Sequence, residues 1–171
     1  MEVLIVVDMQ RDFVSGVLGT PEAKSLLAPL RAFLDGWEGR VIYTRDTHPE
    51  EYLSTREGRL LPVPHCIRGT EGWEIEPAVS PRDGDTVIDK PTFGSEELAS
   101  YLKAENEKDP VRRIVLVGVC TDICVISNAM LVKAAFPECE VEVVSSLCAG
   151  VTPERHQTAL AALSACQITV S

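Results

Sequence analysis

The stretch Val115-Leu-Val-Gly-Val-Cys-Thr-Asp-Ile-Cys-Val125 carries an apolar run into two cysteines four residues apart. Its first half has the unalternated, Val-rich character of a strand covered on both faces. Its second half opens a segment, 121–135, that is apolar on most sides and reads as a buried helix. A strand feeding a buried helix is half of a βαβ unit, and the rest of the chain repeats that pattern.

Strands are predicted at 3–7, 40–44, 86–88, 114–119 and 141–145, with a shorter sixth at 167–170. Between them lie helix-like stretches. Residues 22–37 place Leu26, Leu27, Leu30, Phe33 and Leu34 on one face. Residues 95–104 open with Ser95, Glu96 and Glu97, suited to a helix N-terminus. Residues 152–165 begin Thr-Pro-Glu, a cap followed by proline at the first helical position. The expected fold is α/β, a three-layer, doubly wound, mostly parallel sheet of about six strands with helices on both faces. One domain spans 1–171. Its exception is the segment 46–81, rich in Pro, Gly and charge and too long for an ordinary connection, which reads as a functional loop excursion.

A chain of 171 residues with 45% hydrophobic and 25% charged residues has the composition of a globular protein able to bury a core. The net charge of −10 argues against nucleic acid, whose phosphates need clustered Lys and Arg. The apolar run at 3–7 stops at Asp8. It is too short to cross a bilayer, and no Lys or Arg precedes it as in a signal peptide. A cytoplasmic protein with no membrane partner is therefore expected. Six cysteines in such a setting are expected to stay reduced, with no structural disulfide.

In open α/β sheets ligands bind beyond the carboxyl ends of the strands. The first strand ends at Asp8, the second at Arg45-Asp46, the third at Asp89-Lys90 and the fourth at Val119-Cys120. Acids, a lysine and a cysteine thus converge on one edge. Cys124 falls near the start of the helix after the fourth strand, where the dipole and free N–H groups favour a thiolate and hold an oxyanion. Asp8 is placed to act as its base and Lys90 to supply positive charge. The bland alternative for Cys124 is a buried helical cysteine. A metal or redox pair of Cys120 with Cys124 fits less well. No second cysteine or histidine pair accompanies it, and the spacing exceeds C-x-x-C.

The excursion holds a second constellation: Asp46 and His48, then Glu57, then His65-Cys66. Two imidazoles and two carboxylates form a mixed N/O set suited to Zn, Fe or Mn, although a solvated loop would also contain such acids. The third histidine, His156, reads as an exposed helical residue. Phe13 and Phe93 are candidates for aromatic walls at the same edge or for core positions. No G-x-G-x-x-G, P-loop or serine-elbow motif is present.

Taken together, strand-Asp8-Met-Gln-Arg-Asp-Phe13, Lys90-Pro-Thr-Phe93 and Gly118-Val-Cys-Thr-Asp-Ile-Cys124-Val resemble the isochorismatase-like cysteine hydrolases. The order and spacing match over nearly the whole chain. Within that family Asp46-x-His48, Glu57 and His65-Cys66-Ile-x-Gly69-Thr look like the metal loop of the nicotinamidases, which relatives acting on isochorismate, carbamoylsarcosine or ureido compounds generally lack. The resemblance implies a triad of Asp8, Lys90 and Cys124, with one divalent metal held by Asp46, His48, Glu57 and His65. Zinc is the first expectation for that metal, and iron and manganese are the alternatives. It also implies a cis peptide at Val119–Cys120, which turns the Cys120 N–H toward the same oxyanion hole as that of Cys124. The implied partner is a small amide, with Phe13, Phe93 and Tyr52 near its ring, and self-association into a homo-oligomer is compatible with the family. One departure stands out. Nicotinamidases often carry Trp three residues before the last metal histidine, where this chain has Pro62, so Tyr52, Trp73 or Phe93 must replace that wall. Two other readings remain: a family hydrolase acting on another amide or ureido compound, and a non-catalytic metal- or thiol-binding module.

Overall fold

The computed structural model describes residues 1–171. Six parallel strands form one sheet: β1 (Glu2–Val7), β2 (Arg40–Asp46), β3 (Thr86–Lys90), β4 (Arg113–Val119), β5 (Glu140–Ala149) and β6 (Thr169–Val170). Their order is β3-β2-β1-β4-β5-β6. The chain winds outward from β1 in one direction and, after β4, in the other. The sheet is the predicted doubly wound one, and its switch point lies between β1 and β4, the position where such sheets open a ligand crevice.

Alternation along β1 shows why both faces must be covered. Val3, Ile5 and Val7 enter one core with Leu98, Leu102, Ala129, Val132, Leu160 and Leu163. Leu4 and Val6 enter the other with Val14, Ala23, Leu26, Leu30 and Leu34. The first core is roofed by α5 (Glu96–Lys108), α6 (Ile126–Ala135) and α7 (Pro153–Ala165), the second by α1 (Arg11–Val14), α2 (Pro21–Ser25) and α3 (Leu27–Asp35). Ser95 and Thr152 accept hydrogen bonds from Leu98 N and Arg155 N, as their capping positions predict.

Three boundaries differ from expectation for identifiable reasons. The single helix expected at 22–37 is broken at Leu26, because Pro29 has no N–H to donate to Ser25 and so sits in the first turn of a new helix. The helix expected at 95–104 runs on to Lys108, one residue short of the Asp109-Pro110 stop. Helix 121–135 begins with a π-turn, Thr121–Val125, before α6 takes over. All six cysteines are free.

The excursion carries two short 3₁₀ turns and one short helix, α4 (Arg56–Leu60), before a third 3₁₀ turn leads toward β3. It is tied down at both ends: Gln10 forms an isolated bridge with Ile75, and His48 with Ile67.

Candidate active site

The strand ends deliver their side chains as the layout requires. Asp8 follows β1 in a left-handed conformation (φ 47°) and is fully buried. Lys90 closes β3 and is also fully buried, yet its Nζ lies 2.6 Å from Asp8 Oδ2, 3.5 Å from Cys124 Sγ and 3.5 Å from Asp46 Oδ1. Thr44 Oγ1 donates to Asp8 Oδ1 at 2.7 Å, and Lys90 Nζ also donates to Thr92 O at 3.1 Å. Gly118, near the end of β4, explains how β4 can approach so closely. Its φ is +112°, and a Cβ there would stand 2.2 Å from Val7 O.

Burial governs the electrostatics of this trio. It pushes the Asp8 carboxyl up, against the pull of the Lys90 charge. Burial alone would lower Lys90, but the charges of Asp8, Cys124 and Asp46 outweigh it and raise the ammonium's pKa. Burial, with the Asp8 charge beside it, also holds the Cys124 thiol well above its ordinary value. This runs against the lowered thiol pKa expected at a helix start. Inside the π-turn, desolvation is the largest influence on the thiol. The Val119–Cys120 peptide is cis.

Beside the trio, one ligand atom from each of Asp46, His48, Glu57 and His65 lies within 4.8 Å of the others. His48 Nε2 is 3.0 Å from Asp46 Oδ2 and 3.7 Å from Glu57 Oε1. His65 Nε2 is 3.8 and 3.9 Å from the same two atoms. His65 Nδ1 lies 2.8 Å from the Val63 carbonyl, a contact that places the proton on Nδ1 and leaves the Nε2 lone pair facing the cluster. His48 Nε2 and Asp46 Oδ1 are buried without a hydrogen-bond partner. Such orphaned atoms cost about 1–3 kcal/mol each, and a cation between the four groups satisfies them, so the residues fit a metal.

Both clusters meet one cavity of about 840 Å³, lined by Asp46, His48, Glu57, His65, Cys120 and Cys124 among others. Asp8 and Lys90 do not line it and sit fully buried beside the thiol. Phe13 lines the cavity with its ring 5.4 Å from that of His65, and the partly exposed Phe93 lines it as well. Tyr52, expected against a substrate, is not at the cavity. The 3₁₀ turn Tyr52–Ser54 buries it behind the imidazoles, 4.7 Å from the His48 ring, with its hydroxyl donating to Leu61 O. Trp73 is also elsewhere, stacked under Arg45 and donating from its indole to Thr47 Oγ1. Of the three aromatics that could stand in at Pro62, only Phe93 reaches the cavity.

Sequence reasoning missed several supporting residues. Gln10, fully buried, accepts from Asp46 N at 2.7 Å and donates to Asp46 O and Trp73 O at 2.8 Å each. Asp12 Oδ2 accepts from Cys66 N, next to His65. His156 is not exposed as expected. It is half-buried with Nδ1 2.8 Å from Thr121 Oγ1, which ties α7 to the π-turn of Cys124, and burial lowers its pKa. Only position relative to Asp8 could have flagged Gln10 and Asp12, since nothing in their residue type announces burial.

Known proteins share this fold. The isochorismatase domain model matches residues 2–171. A nicotinamidase of Saccharomyces cerevisiae is 26% identical over 175 residues, covering 76% of this chain and 80% of the yeast protein. Among solved structures, a pyrazinamidase of Pyrococcus horikoshii in complex with zinc superimposes with a TM-score of 0.84 at 28% identity, covering 99% of this chain and 98% of its own. An N-carbamoylsarcosine amidase from Thermoplasma acidophilum superimposes with a TM-score of 0.80 at 26% identity, covering 99% and 95%. With the domain model spanning the whole sheet and both clusters, the chain belongs to the isochorismatase-like family of amidohydrolases, in its nicotinamidase branch.

Proposed function

We propose that this enzyme deamidates nicotinamide and similar heteroaromatic carboxamides to the carboxylate and ammonia through a thioester on Cys124. The observation that carries the reading is the shared cavity, with a buried cysteine beside an Asp–Lys pair and a four-residue candidate metal cluster lining the same space. Asp8, made more basic by burial, takes the Cys124 proton as sulfur attacks the amide carbon. Lys90, paired to Asp8 and near Sγ, balances the negative charge as it moves. The backbone N–H groups of Cys120 and Cys124 receive the oxyanion. The C–N bond then breaks, the proton passes from Asp8 to the departing amine, and ammonia leaves. Water, deprotonated by Asp8, attacks the thioester, and the carboxylic acid and the thiol are released.

Asp46, His48, Glu57 and His65 would hold the metal, zinc first. When bound, it supplies a Lewis-acid site for the ring nitrogen and so orients the amide toward Cys124. Phe13 flanks the ring. The metabolic setting that fits this chemistry is salvage of nicotinamide for NAD. The likeness to the carbamoylsarcosine amidase supports a second reading, hydrolysis of another small amide or ureido compound. Ammonia release from nicotinamide by zinc-loaded protein, lost with chelator and restored by zinc, supports the first reading. Turnover of N-carbamoyl compounds without nicotinamide turnover selects the second.

A further inference from the structure

The cavity is larger than a single-ring carboxamide needs. Its volume of about 840 Å³ falls in the upper part of the range that takes whole drug-sized ligands, roughly 300–1,000 Å³. Its lining joins the polar, reactive residues to a set of exposed apolar ones. Seven large hydrophobic side chains are exposed on this chain, and four of them, Leu60 (75%), Phe93 (45%), Val151 (40%) and Leu61 (39%), line this one cavity.

That concentration has a cost in water and needs a reason. The four residues come from three separate places: α4 and its end, the turn after β3, and the turn after β5. They therefore converge on the cavity from three segments rather than forming one slipped helix face. Leu60 and Leu61 come from the end of α4. Two arginines, Arg56 and Arg155, also line the cavity; Arg155 lies 3.9 Å from the carboxylate of Asp122, and the exposed apolar side chains outnumber the two.

We propose that the preferred substrates are primary carboxamides whose aromatic ring carries an uncharged apolar extension. The carboxamide sits at Cys124, and the extension packs on Leu60, Leu61, Phe93 and Val151. This rests on the deamidase reading above and adds the substrate class to it. An added phenyl or butyl group that buries about 60–100 Å² of apolar surface is worth roughly ten- to seventyfold in kcat/KM at about 25 cal/mol per Å².

The test compares nicotinamide with its 5-butyl, 5-phenyl and 5-carboxy derivatives on zinc-loaded enzyme, with ammonia as the readout. The expected result is kcat/KM at least tenfold higher for the butyl and phenyl compounds than for nicotinamide. In a Leu60→Ser variant that ratio should fall several-fold, with zinc content equal to the parent's. Faster turnover of nicotinamide than of both apolar derivatives overturns the inference and leaves the deamidase reading standing. A preference for the carboxy derivative overturns it as well, in favour of an anionic extension. Failure to release ammonia from any of the four compounds overturns the underlying reading and the inference with it.

Discussion

Gln10 offers the most direct test of how the two clusters are held together. Replacing it by leucine keeps volume in a fully buried site but removes three hydrogen bonds to backbone: one from Asp46 N, one to Asp46 O and one to Trp73 O. Each stripped backbone group costs about 1–3 kcal/mol, so with partial relaxation the expected loss of stability is about 3–6 kcal/mol. The damage is also local. Asp46 is a member of the metal cluster and lies 3.5 Å from Lys90, so its displacement reaches both clusters. Loss of a residue that orients a ligand typically lowers metal affinity about 10–100-fold. Urea unfolding of the chelated protein measures the first effect, and competition for zinc against a chromophoric chelator measures the second. Leu30→Ala is the control. It lies in the core under α3 and should cost about 2–5 kcal/mol with zinc affinity unchanged. Parent zinc affinity in Gln10→Leu, or a stability loss below about 1 kcal/mol, would refute the reasoning.

Cys124→Ala should abolish ammonia release, by about a thousandfold or more, while circular dichroism and zinc content match the parent; residual parent-like turnover would exclude the nucleophile. Gly58→Ala places a Cβ 2.0 Å from Tyr52 O, backbone that cannot rotate away, next to Glu57. It should cost about 1–3 kcal/mol and weaken zinc binding, read by thermal unfolding with and without zinc. Glu142 gives a pH-dependent stability term. Burial pushes its carboxyl up, but hydrogen bonds from Ser171 and Arg113 outweigh this and hold it below the ordinary 4.5. A depressed folded value means the contribution is complete above the unfolded value and lost as pH falls through the folded one. The stability gap between parent and Glu142→Gln should therefore be widest near about pH 6 and shrink below about pH 4. A gap that widens on acidification would be the wrong sign.

How much of this was legible depended on whether a residue's role is set by topology or by packing. Strand ends are topological: once β1, β3 and β4 are placed, Asp8, Lys90 and Cys124 must approach one another, because parallel strands end on the same edge. The metal set was legible for a chemical reason, since two of only three histidines fall in one excursion with two acids. What stayed hidden was decided by burial. Tyr52 beside His48 reads equally as a substrate wall or as backing for the imidazole, and only the 3₁₀ turn that tucks it inward decides between them. The direction of the Cys124 pKa shift was hidden for the same reason. A helix start argues for a thiolate, but desolvation among Asp8 and the packed π-turn argues more strongly against it. In the proposed mechanism the buried thiol gives its proton to Asp8, and Lys90, equally buried, balances the resulting charges. The proposed triad thus presents only Cys124 to the cavity, while Asp8 and Lys90 stay fully buried behind it.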